Sequence, residues 1–212
     1  MIVVHHLNDS RSQRILWLLE ELGLDYEIKR YARDAVTRLA PPELKAVHPL
    51  GKSPVLTDEG LTLIESGAIV DHLIRRHGGG RLQPDPRTPS YDVYVQWLHF
   101  AEGSAMLPFM LQVYTGRLGE AAAPLRPPID SEIANHLGFI EQSLAGCDYL
   151  LGDDLTGADI MLSFVGEIAR GLGRLADYPD TAAWLARLQA RPAYRAALKR
   201  GGAYTFAPRD GG

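Results

Sequence analysis

Cysteine is almost missing from these 212 residues: Cys147 stands alone. That excludes a disulfide within the chain, a C-x-x-C redox pair and a cysteine-based zinc site. Any thiol chemistry needs a thiol that arrives from outside, or Cys147 by itself. Long apolar runs are missing too, and none approaches the roughly 18 residues of a membrane span. The start, Met1-Ile2-Val3-Val4-His5-His6, has no basic region and too short an apolar stretch for a signal peptide. It reads as the first strand of a cytoplasmic protein. Charge of one sign is not in excess: the formal net charge is -4, with no basic stripe to meet nucleic acid. The seven histidines lack metal-ligand spacing. His5 and His6 are neighbours on a strand and point to opposite faces, so no metal is expected. What remains is an ordinary globular composition, 46% apolar and 23% charged. It suits one large domain or two modest ones.

Residues 2–6 read as a strand. Ile15, Leu18, Leu19 and Leu22 follow at i, i+3, i+4, i+7, an amphipathic helix that Gly23 is placed to end. Asp25 to Tyr31 reads as a second strand. Pro41-Pro42 opens a short helix through about Ala46. Pro54–Thr57 and Leu61–Ile64 are strands joined by Asp58-Glu59-Gly60. A helix over 66–76 turns Ile69 and Leu73 inward. This order predicts a small open sheet with helices packed on it, over residues 1–80. Residues 81–88 read as a linker. Strand signals then nearly disappear. Helical spacing links Tyr94, Trp97, Leu98 and Ala101, then Ile133, Leu137, Ile140 and Leu144. Further helices carry Ile160 to Ile168 and Trp184 to Leu188, and Pro192 opens the last. Residues 89–212 are expected to be an all-α domain. Trp17, Trp97 and Trp184 are expected in the core, and Cys147 in packing or at a helix end.

Three segments carry candidate chemistry. Ser10 stands where the first strand hands over to the first helix. With Gln13 three residues on, it fits a capping box. The same position also fits a hydroxyl donor to a thiolate at a helix N-terminus. A free thiol, with pKa about 8.5, needs about 1.4 kcal/mol of differential stabilisation for each unit of lowering. A hydroxyl bond plus the helix end could supply on the order of 2 kcal/mol. Lys52-Ser53-Pro54 fits a loop entering a strand. With a cis bond it would instead expose the Ser53 backbone to a peptide ligand pairing as an added strand. Glu65-Ser66 has no Glu or Gln three residues on. A plain helix cap and a carboxylate site both fit, with Glu65 available to an ammonium group.

These pieces, in this order, resemble the cytosolic glutathione transferases. The match lies in His48-Pro49-Leu50-Gly51-Lys52-Ser53-Pro54-Val55-Leu56, in Glu65-Ser66-Gly67-Ala68-Ile69, and in Ser10-Arg11-Ser12-Gln13-Arg14 with the helix after it. Leu155-Thr156-Gly157-Ala158-Asp159-Ile160 resembles that family's second-domain capping box and hydrophobic staple. Ala40-Pro41-Pro42-Glu43-Leu44-Lys45 is similar to a serine-type subgroup shared by fungi and proteobacteria.

The resemblance implies a thioredoxin-like α/β N-terminal domain, an all-α C-terminal domain and a homodimer, with glutathione as co-substrate and no metal. It implies a cis Pro54, with the Ser53 backbone pairing to the cysteinyl part of glutathione. Glu65 and Ser66 would take the γ-glutamyl end, with Lys52 near that end or the glycine carboxylate. Ser10 matches the thiol-activating serine, with Ser12 as the alternative. A basic pair usual in serine-type relatives is replaced here by Leu39-Ala40. That leaves Arg38 or Lys52 for the glycine carboxylate. Glu102 reads by default as a solvated helical glutamate, and the resemblance implies an acidic residue near here reaching across the dimer. Met106, Phe109, Met110 and Tyr114 fit either core packing or a second-substrate pocket. The implied reaction joins the activated thiol to a small hydrophobic electrophile. Reduction of hydroperoxides or mixed disulfides at the same site, and non-catalytic glutathione binding, are the alternatives.

Overall fold

A computed structural model describes residues 1–208, so the last four residues of the expected helical domain lie outside the described residues. Strand β1 (Ile2–Leu7) is buried along its whole length. It lies between β2 (Tyr26–Tyr31), to which it is parallel, and β3 (Val55–Asp58), to which it is antiparallel. The β4 strand (Leu61–Leu63) pairs antiparallel with β3 and completes the order β2-β1-β3-β4. A parallel β1–β2 pair needs a crossover, and helix α1 (Ser12–Leu22) supplies it. Gly23, at φ 67°, closes α1 by sending its N–H back to the carbonyls of Leu19 and Glu20.

The sequence period gives α1 one apolar face. The structure buries Ser12 through Leu19 and Leu22, which is more than one face. Strand β1, helix α3 (Ser66–His77) and helix α9 (Pro192–Gly201) all pack against it. Trp17 meets Tyr194 edge to face at 5.4 Å. Arg191 pairs with Glu21 at 2.9 Å and Arg200 with Glu20 at 3.0 Å. The Arg200 guanidinium also lies 3.8 Å over the Tyr26 ring. These contacts correct the expected boundaries. One compact unit is Met1–Leu82 with the chain from Leu188 on, and the other is Gln83–Arg187. The last helix belongs to the sheet unit because it covers α1. A five-residue helix, α2 (Glu43–Val47), carries the buried Leu44.

The second unit is helical. Helix α4 (Pro89–Phe100) runs through a π-helical turn at Ala101–Ala105 into α5 (Met106–Thr115). A 3-10 segment (Gly116–Leu125), broken at Gly119 with φ 55°, leads to α6 (Arg126–Leu144). Helices α7 (Gly157–Gly171) and α8 (Pro179–Ala190) follow. Helix α5 escaped the sequence reading. Met106, Pro108 and Phe109 turn inward while Leu107, Leu111, Val113 and Tyr114 are exposed, so no clean apolar stripe marks it. Trp17, Trp97 and Trp184 are all buried, and Cys147 is exposed. Among the described residues no helix is long and apolar enough to cross a membrane.

The turn before α7 is as its sequence suggests. Thr156 and Asp159 form a reciprocal capping box, and Leu155 and Ile160 are both buried. The Asp159 carboxylate also accepts from the Leu150 N–H at 3.0 Å and from the Trp184 indole at 2.9 Å. One buried acid thus joins a loop, a helix start and α8. Asp159→Ala strands these donors, and a loss of about 3 kcal/mol in denaturant-induced unfolding is expected. Asp159→Asn, which keeps an acceptor oxygen, is expected to lose less.

Candidate functional site

Strand registers assemble the site. In the β1–β3 pair His5 faces Val55, so the ladder continued by two residues sets Leu7 opposite Ser53. In the β3–β4 pair Leu56 faces Leu63, and beyond that strand Glu65 leads into Ser66, the first residue of α3. The end of β1, the head of β3 and the start of α3 therefore meet at one end of the sheet. The Ser53–Pro54 bond at this end is cis.

Ser10 follows β1 into the same place. Its Oγ lies 2.7 Å from Ser12 Oγ and 3.4 Å from Ser53 Oγ. Ser53 donates to the His5 carbonyl at 3.0 Å and accepts from the Leu7 N–H at 3.4 Å. Ser12 is fully buried, with its Oγ 2.8 Å from His6 Nδ1 and 3.3 Å from the Leu7 carbonyl. The expected Ser10–Gln13 capping box does not form. Ser10 Oγ accepts the Ser12 N–H at 3.2 Å, one half of a cap. Gln13 does not reach back, and its buried amide has no hydrogen-bond partner among the described residues. The reason lies in α9, which packs on α1 and holds Gln13 against Gly201.

The α3 entrance is unusual. Glu65 has φ 66° and ψ 117°, and its side chain makes no cap bond. Such a backbone costs a residue with a Cβ on the order of 1–3 kcal/mol. Ser66, the first helical residue, is buried while Glu65 is exposed. A helix start without a side-chain cap presents N–H groups and a partial positive charge to an anion.

Arg38 is engaged rather than open: its guanidinium pairs with Asp9 at 2.9 Å. Asp9 also accepts the Thr205 N–H at 2.8 Å. Burial pushes the Asp9 carboxyl upward, and the bonds from Thr205 and Arg38 outweigh it, leaving a net lowering. Lys52 is exposed beside Ser53. Glu102 is half-buried on the π-helical turn of the second unit. Of the pocket candidates in that unit, Met106 and Phe109 are buried and Tyr114 is exposed.

His6 is the residue that sequence reasoning missed. Burial and then the nearby Arg30 press its pKa down to about 4, against the opposing pull of a Gly201 backbone bond and of Asp9. It is therefore a neutral imidazole at neutral pH. The alternation of a strand sends His5 and His6 to opposite faces, which was the available signal. His5 bonds Tyr31 at 2.9 Å and His6 bonds Ser12. A second cluster also escaped spacing arguments. Asp58, His72 and His77 bring their ligand atoms within 4.8 Å of one another. Both imidazole Nε2 atoms meet one oxygen of Asp58, at 3.0 and 2.8 Å. The cluster ties the β3 end to α3.

Comparisons with known proteins follow this geometry. Residues 1–75 match the family model of the glutathione S-transferase N-terminal domain, and residues 105–192 that of the C-terminal domain. Glutathione S-transferase 3 of Schizosaccharomyces pombe is 34% identical over 215 residues, covering 94% of this chain and 88% of that protein. Glutathione S-transferase 1 of Saccharomyces cerevisiae is 32% identical, covering 94% and 95%. A solved glutathione S-transferase from Actinobacillus pleuropneumoniae superposes with a TM-score of 0.88 at 38% identity, over 97% of this chain and 95% of that one. A glutathione transferase family member from Pseudomonas fluorescens, solved with two glutathione bound, gives 0.80 at 28% identity, over 93% and 92%.

The Glu65 backbone yields a test independent of any ligand. Glu65→Gly removes the Cβ penalty, offset in part by the larger freedom of glycine in the unfolded chain. A gain of up to about 1 kcal/mol is expected, seen as a higher denaturant midpoint with an unchanged slope.

Proposed function

The chain belongs to the glutathione S-transferase family, and from that premise we propose that it holds glutathione at the sheet end formed by Ser10, Ser53 and Ser66 and activates its thiol for attack on a hydrophobic electrophile. The supporting observation is the strand register, which brings the end of β1, the head of β3 and the uncapped start of α3 to one end of the sheet. The fold is the small mixed sheet with helices and a helical second part shared by its structural neighbours.

Each part of glutathione has a matching group. The α-carboxylate of the γ-glutamyl end meets the Ser66 hydroxyl and the α3 N–H groups, where the helix field favours an anion. The exposed Glu65 carboxylate meets the ammonium group. The cysteinyl backbone pairs with Ser53 beside Pro54, as an added strand would. Lys52 is the cation assigned to the glycine carboxylate, because Arg38 must first give up Asp9.

The sulfur then lies by Ser10, whose hydroxyl donates to the thiolate. The sulfur, not the serine, is the nucleophile. Lowering a thiol of pKa about 8.5 by one to two units raises the thiolate at neutral pH from about 3% to about 25–75%, roughly an 8- to 25-fold gain. Ser12 is fully buried while Ser10 keeps 4% exposure, so Ser10 is the hydroxyl assigned to the ligand. A homodimer, Glu102 acting across it, a cytoplasmic setting and a detoxifying role complete the proposal.

Two measurements test it. Turnover is followed with a chlorodinitrobenzene-type acceptor and with an organic hydroperoxide, for wild type and Ser10→Ala. Conjugation in the wild type and a loss of kcat/KM of about 8- to 25-fold in the variant are expected. Full activity in Ser10→Ala would overturn the role of Ser10. Turnover with the hydroperoxide alone would move the reaction to peroxide reduction. Ser66→Ala is expected to raise KM for glutathione at least about tenfold, as loss of one charge-assisted bond would, with little change in kcat.

A further inference from the structure

The hydrogen bonds around Ser10 have a direction, and neutral His6 sets it. A neutral imidazole carries one N–H. Its Nδ1 faces Ser12 Oγ at 2.8 Å. The ring also bonds the Gly201 backbone in a way that favours its protonated form, which identifies a carbonyl acceptor. The two ring nitrogens point apart, so the proton sits on Nε2, toward Gly201, and Nδ1 accepts. Ser12 therefore donates to His6. The Leu7 carbonyl, at 3.3 Å, is the more distant acceptor. With its proton committed, Ser12 can only accept at its 2.7 Å contact with Ser10, so Ser10 donates there. Ser53, whose own proton goes to the His5 carbonyl, offers Ser10 a second, longer acceptor at 3.4 Å.

The consequence rests on the reading that the glutathione thiol lies at Ser10. The proton that Ser10 would give to a thiolate is held by Ser12 before the ligand arrives. A thiolate is a charged acceptor and outcompetes a neutral hydroxyl, but the Ser10–Ser12 bond is lost in the exchange. We propose that Ser12 and His6 are positioning residues that hold the Ser10 proton away from the sulfur and so limit how far the bound thiol is acidified. The S–H bond breaks and its proton leaves to solvent water, while the Ser10 O–H stays intact and rotates from Ser12 to the sulfur.

The test is the pKa of glutathione bound to the intact protein, read from thiolate ultraviolet absorbance across a pH series. Ser12→Ala removes the competing acceptor. It is expected to lower the bound-thiol pKa by about half a unit to one unit, the worth of one neutral hydrogen bond. His6→Leu leaves the Ser12 proton only the more distant Leu7 carbonyl, so Ser12 turns in part to donate to Ser10, and a smaller lowering is expected. His6→Asn, which presents an acceptor oxygen near the Nδ1 position, is expected to restore the wild-type value. In a Ser10→Ala background, Ser12→Ala is expected to do nothing. An unchanged or raised pKa in Ser12→Ala overturns the inference, as does the same shift without Ser10. If Ser12→Ala does not fold, the two His6 variants decide by the same readout: equal values overturn it. Ser10→Ala separates the two readings. No rise in pKa there removes Ser10 from the sulfur and takes the proposed site with it. A rise there, without a fall in Ser12→Ala, removes only the relay.

Discussion

The register of β3 against both of its neighbours is the constraint on which the site depends. A strand repeats every two residues, so a slip of one residue reverses every side chain. Slipped against β1, the head of β3 would carry its Ser53 hydroxyl away from Ser10. Slipped against β4, it would shift the start of α3 relative to Ser53. Burial pins the register. Val55 and Leu56 are fully buried, and Asp58 is fixed to two histidines of α3. A site built from short polar groups thus takes its precision from apolar packing one or two residues away.

The serines at this sheet end are not independent. Ser12 sits at the start of α1 and meets His6 on β1, while Gly201 at the end of α9 meets the same imidazole. The orientation of the Ser10 hydroxyl is then a property of three elements. This explains how a buried serine with no access to a ligand bears on chemistry at its neighbour. It also explains why polar residues fill the first turn of α1, where an apolar core would have sufficed for stability.

Much of this was legible in the sequence, and the exceptions are instructive. The sheet strands and α1, α3, α6 and α7 follow from periodicity and turn residues, because each has a clear inner face. Helix α5 was not legible, since its apolar residues point both ways. The Ser10–Gln13 box was a correct local rule overridden by packing: α9, nearly 180 residues away in the chain, occupies the space that Gln13 would need. The Ser53, Glu65 and Ser66 cluster came from motif order, while the geometry that unites them came from strand pairing. His6 and the Asp58–His72–His77 tie were invisible because they join residues from different elements, and spacing along a chain does not report that.

The return of α9 to α1 also bears on how the molecule is made. The sheet and α1 leave the ribosome well before the helix that covers α1, which follows α1 by more than 160 residues. For most of synthesis Trp17 and its neighbours lack the partner that buries them, and a helical unit of roughly a hundred residues forms in between. Contacts of such long sequence separation slow folding and prolong the exposure of apolar surface. The ion pairs Glu21–Arg191 and Glu20–Arg200 give the late helix a charged guide to its place. The same arrival brings the Gly201 carbonyl to His6, so the environment of Ser10 is completed only once α9 has been made and has docked.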